Sequence, residues 1–142
     1  MTWTMTALVI SILAFPGHCD QPIQRAQPGI RVDLLEPTDS APGCGESISL
    51  SKSFGSTATK FVFATSSKNP DERVIRVNGE LHHLKLTYLR SPRRMLKTGD
   101  KLKRVYSDGI VKVTNRIRVD SDYGEGINFS GNMIVSIHGL TR

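Results

Sequence analysis

The run IVKVTNRIRVD, Ile110 to Asp120, alternates apolar and polar side chains with a period of two. Val111, Val113, Ile117 and Val119 fall on one side of it, and Lys112, Thr114, Arg116 and Arg118 on the other. A helix would scatter the same apolar residues around its circumference, so the spacing dictates a half-buried strand. Asn115 interrupts the apolar side, and a buried amide must find partners. A β-bulge is the preferred explanation, ahead of a bound water or the floor of a pocket.

The same period governs the rest of the chain. Asp108-Gly109 separates this strand from Leu102 to Ser107, and Asn78-Gly79 separates Arg73 to Val77 from Leu81 to Arg90. Both dipeptides supply the positive-φ positions that tight hairpins require. In the arm after Asn78-Gly79, Leu84, Leu86 and Tyr88 are expected toward the core, and His83, Lys85 and Thr87 away from it. Ile30, Val32 and Leu34 alternate with Arg31 and Asp33, and Ile48 and Leu50 alternate with serines. Phe61 to Ala64 is apolar on both sides, as in a strand covered on both faces. Met133, Val135 and Ile137 close the pattern. The expectation is all-β: a single small antiparallel β-sandwich or barrel of about eight strands. At most one short helix is added, with Ser91 as its cap, Pro92 in its first turn and Gly99 at its exit.

Met1 to Cys19 contains no Lys, Arg, Asp or Glu, and Met5 to Phe15 is an unbroken run of apolar or small residues. That run is too short to span a bilayer as a helix and has the length of a secretory signal core, broken by Pro16-Gly17. The domain reading follows: residues 1–19 a signal peptide, 20–29 a flexible arm, 30–142 the β domain. The N-terminus lacks the usual basic residues, and the alternative is an N-terminal strand or helix that stays with the domain. Export places the protein in the periplasm or outside the cell, with no transmembrane span. There, Cys19 and Cys44 can pair if cleavage follows Gly17; if it follows Cys19, Cys44 is alone.

The chain of 142 residues carries a net charge of +6 and a pI near 9.6. The leader holds none of this charge, so the domain attracts anions at long range. Between Arg90 and Arg104 lie seven bases, Arg90, Arg93, Arg94, Lys97, Lys101, Lys103 and Arg104, against one acid, Asp100. Arg93 and Arg94 would stand at the N-terminus of the expected helix, where backbone N–H groups favour an anion and positive side chains do not. That conflict marks the cluster as the candidate binding site, with Arg93, Arg94 and Lys97 as anchors and Arg104 in support.

Little points to catalysis. The chain has no Gly-x-Ser-x-Gly elbow, His-Glu-x-x-His, Walker or Rossmann sequence, and His82, His83 and His138 lack a third partner at ligand spacing. The acidic loop Asp120 to Gly126 fits the Ca²⁺-loop template poorly. No cofactor and no metal is expected, nor nucleic acid, since no helix is long enough to enter a groove. The functional expectation is an exported, non-enzymatic, inhibitor- or immunity-like protein that covers an acidic site on a partner protein. The alternative is a cell-envelope module that binds anionic polysaccharide or lipid phosphate.

Overall fold

A computed structural model describes residues 6–12, 29–40, 45–49, 61–122 and 126–138. Cys19, Cys44, most of the expected arm and the centre of the acidic loop lie outside the described residues. The strands are β1 (Thr6–Ile12), β2 (Val32–Asp33), β3 (Ser47–Ser49), β4 (Phe61–Thr65), β5 (Glu72–Val77), β6 (Glu80–Arg90), β7 (Lys101–Ser107), β8 (Val111–Asp122) and β9 (Ile127–Ile137). All pairings are antiparallel, in the order β1-β9-β8-β7-β6-β5-β4-β3, with the two-residue β2 added against β5. The protein is therefore all-β, one antiparallel sheet curled into a half-barrel.

Both expected hairpins form. Asn78 and Gly79 take φ of 50° and 84° between β5 and β6, the two left-handed positions that a two-residue turn demands. At the second turn Gly109 takes φ 93°, and Asp108 Oδ1 accepts the N–H groups of Ile110 and Val111. From there β7 and β8 pair without interruption, from Ser107 with Lys112 to Lys101 with Arg118.

Side chains directly opposite each other share a face, so the register divides this sheet into two. The core face carries Phe63, Ile75, Leu84, Tyr106, Val113, Met133 and Val135, all buried in one cluster. Removing each of the larger ones from water contributes about 1.5–3 kcal/mol. Val62, Phe63 and Ala64 are all buried, in keeping with a strand covered on both faces. A second, smaller cluster of Leu102, Ile117 and Val119 sits toward the far end of β7 and β8, with Leu96 and Phe129 packed on it.

Three expectations are corrected. Residues 91–100 form no helix. Asp100 organises them instead: its carboxylate accepts the Lys97 N–H at 2.8 Å and both Arg94 guanidinium nitrogens at 2.8 Å. The Ser91 hydroxyl turns to the Pro92 carbonyl and caps nothing, while Gly99 donates to the Val119 carbonyl and ties the segment to β8. Second, Leu86 and Tyr88 are not in the core; they are 47% and 48% exposed. A register shift between them inserts one residue into β6, which swaps the faces of everything beyond it. Third, Asn115 causes no bulge, because β8 pairs regularly through it and shifts register only between Val119 and Ser121.

Thr6–Ile12, inside the stretch read as a leader, is an extended strand paired along β9 from Thr6 opposite Ile137 to Ile12 opposite Gly131. Among the described residues, no helix is long and apolar enough to cross a membrane.

Candidate functional site

The bulge in β6 builds the site. Beyond it Tyr88 pairs with Val105 and Arg90 with Lys103, so both join the face opposite the core. On that face Lys103 lies directly across from Arg116, and Lys101 directly across from Arg118. Arg116 and Arg118 in turn face Asn132 and Ser130 of β9. Arg90, Lys101, Lys103, Arg116 and Arg118 together line a cleft of about 660 Å³, with Ser130, Gly131, Leu102 and Ile117 completing its wall.

Like charges directly opposite one another destabilise a sheet. Here two such cross-strand pairs are adjacent, a fifth base extends one of them, and no acid lines the cleft. Among the described residues only Arg118 of the five has an acid nearby, Asp120 at 3.6 Å. The Lys103 ammonium stands 5.6 Å from the centre of the Tyr88 ring, a cation–π distance. The cleft is a cationic surface whose missing complement is an anion.

Beside it, the exposed face is apolar as well as basic. Leu86, Tyr88, Leu89 and Met95 are 47%, 48%, 52% and 85% exposed. Beyond Lys85, β6 pairs with β7 on one side only, because β5 ends its ladder there.

The seven bases expected to act together divide into groups. Arg90, Lys101 and Lys103 line the cleft. Arg93 and Lys97 are exposed on the 91–100 connection. Arg94 is held in a forked ion pair by Asp100, which raises the guanidinium pKa and lowers that of the carboxyl. Arg104 points to the core face, where it donates to Glu46 at 3.1 Å. Arg116 and Arg118, read only as the polar side of a strand, complete the cleft. Counting outward from the Asp108-Gly109 turn pairs them with Lys103 and Lys101, so the signal was present in the hairpin register.

The core face holds a second polar group. Glu46 is buried, and its Oε2 accepts the Tyr106 hydroxyl at 2.7 Å, Arg104 at 3.1 Å and Arg73 at 3.4 Å. Burial and the adjacent Glu46 carboxylate push the Tyr106 hydroxyl pKa far above its ordinary value, so it remains a donor. This cluster is internally neutralised, two guanidiniums and a hydroxyl on one carboxylate, and it anchors β3 to β5 and β7. His82 is buried with Nδ1 2.8 Å from Asp108 Oδ2, which fastens β6 to the second hairpin turn. His83 sits 3.2 Å from Glu72 and His138 continues from β9 beside Ile110; the two histidines do not meet. Among the described residues, no three His, Cys, Asp or Glu side chains gather as a metal site.

Compared with models of known protein families, with curated proteins and with solved structures, the chain matches none.

Proposed function

We propose that the protein is an exported, non-enzymatic binding protein that covers an acidic site on another protein with the β6–β9 cleft. The observation that carries this reading is the pair of like-charge rows, Lys103 against Arg116 and Lys101 against Arg118, with Arg90 beside them. An arrangement that weakens the sheet is retained where an anion offsets it.

The neighbouring side chains favour a protein over a simple polyanion. Tyr88, Leu86, Leu89 and Met95 offer apolar contact that a polysaccharide chain of acid groups does not use. Tyr, Met and Arg are the residue types enriched at protein interfaces. The cleft charges steer the acidic partner, and steric coverage of its site is the mechanism of inhibition.

The test uses affinity capture from the native envelope or medium, with wild-type protein and a Lys103→Glu, Arg116→Glu variant as baits. One stoichiometric complex, held at moderate salt by the wild type and lost from the variant, is the expected result. Capture of the same species by both baits sinks the reading. Multivalent binding to an anionic polymer or to anionic vesicles that fades steeply with salt transfers the cleft to the polysaccharide or lipid alternative.

A further inference from the structure

The edge of β9 is the second interaction surface, and its occupant can be read from the chain itself. β9 runs Ile127-Asn-Phe-Ser-Gly-Asn-Met-Ile-Val-Ser-Ile137 without a charged residue or a proline. Native sheets protect an open edge with charges, prolines or a short final strand. β9 has none of these devices, and its outer side is covered by β1. Under the export reading, β1 leaves with the leader and that uncharged edge opens.

The register between β1 and β9 shows what fits there. Val9 lies opposite Ile134 at the centre of the paired stretch. A second copy's β9, laid antiparallel about the same centre, would place Ile134 where Val9 stands. Its Met133 then replaces Leu8, Val135 replaces Ile10, Ser136 replaces Ser11 and Ile137 replaces Ile12. At these five successive positions the side chains are identical or of matching type. Thr6 and Ala7 alone are exchanged for different types, Gly131 and Asn132. β1 thus has the sequence of a stand-in for β9 itself.

We infer that, once the leader is removed, the β9 edge pairs with the β9 edge of a second copy about a two-fold axis at Ile134. This rests on the export reading above. The pairing is isologous and closes on itself, so it ends at a dimer and does not propagate. Opposed residues share a face, so the axis stands perpendicular to the joined sheet. Both basic clefts then open on the same side, each bordered by Ser130 and Gly131 of its own β9. The dimer presents two anion-binding clefts to one partner surface, and the acidic partner it fits is itself two-fold or carries repeated acidic sites.

The experiment expresses the complete reading frame in an exporting host and purifies the exported chain. Intact mass gives the N-terminus, and sedimentation at about 50 μM protein gives the assembly state. A processed chain at twice its monomer mass is expected, with the unprocessed chain monomeric. Ile134→Lys sets two like charges across the axis and should return the processed chain to monomer, whereas mixing it with Ile134→Glu should restore a dimer. If neither charged variant folds, Ile134→Thr should raise the dimer dissociation constant by about tenfold. A processed chain that is monomeric, or a dimer indifferent to these substitutions, overturns the assignment while leaving export intact. A chain exported with its leader attached overturns the export reading and the assignment together, and the mass alone distinguishes that case.

Discussion

Asn115 is fully buried on the core face of β8, and neither its amide oxygen nor its amide nitrogen has a hydrogen-bond partner. Such a group costs about 1–3 kcal/mol relative to a satisfied or apolar one. Replacing it with Leu, of similar reach, is expected to raise stability by about 1–2 kcal/mol in denaturant unfolding. A loss of stability would mean that the amide is satisfied in solution. Glu46 behaves oppositely, because its Oε2 holds Arg73, Arg104 and Tyr106 at once. Glu46→Gln leaves two guanidiniums facing a neutral amide, and should cost about 3–5 kcal/mol, as for breaking a buried ion pair from one side. An unchanged unfolding midpoint would show that the cluster does not anchor β3. The acid response lies with Asp108 and Asp39. Burial raises both carboxyls, but the hydrogen bonds from His82, Val111 and Ile110 to Asp108 outweigh it, as do those from Arg76 and Glu36 to Asp39. Both folded values therefore lie below the ordinary 3.8. Their stabilisation is fully present above that value and is lost as pH falls through the lower, folded values. Unfolding midpoints measured across this acid range should decline less in Asp108→Asn than in the wild type; parallel curves would remove Asp108 from that role.

At the scale of elements, the β6 bulge and the β7–β8 register decide the site. Lys103→Glu replaces a repulsive cross-strand pair with an attractive one, and should stabilise the fold by about 0.2–1 kcal/mol while weakening anion binding. Stability and binding moving in the same direction would contradict a functional origin for the like-charge rows. The strands themselves were legible: the alternation in Ile110 to Asp120 and the Asn78-Gly79 and Asp108-Gly109 turns appear as strands and turns in the structure. The faces of β6 were not, because one inserted residue reverses the parity of Tyr88 and Arg90 and leaves no trace in composition. The expected helix failed for a related reason. Ser91, Pro92 and Gly99 satisfy a helix locally, but Asp100 offers Arg94 and the Lys97 N–H a better arrangement, and Leu96 gains a place on Leu102, Ile117 and Val119.

At the scale of the whole molecule, charge clustered along the sequence and charge clustered in space are different things. Arg90 to Arg104 looks like one patch when read along the chain. Folding sends Arg104 to the core face, ties Arg94 to Asp100, and recruits Arg116 and Arg118 from the next strand. Pairing partners of this kind are set by register, which a linear scan sees only when it counts from a turn. The resulting cleft lies next to β9, so edge pairing and anion binding would act on one continuous surface. The most direct measurement titrates wild type, Lys103→Glu/Arg116→Glu and Arg93→Glu/Arg94→Glu with a polyglutamate peptide at about 0.15 M salt, where bulk attraction between exposed charges is largely screened. The expected result is an affinity lowered about tenfold or more by the cleft pair and nearly unchanged by the loop pair. Equal losses in both variants, or a loss confined to Arg93 and Arg94, would contradict the assignment of binding to the cleft.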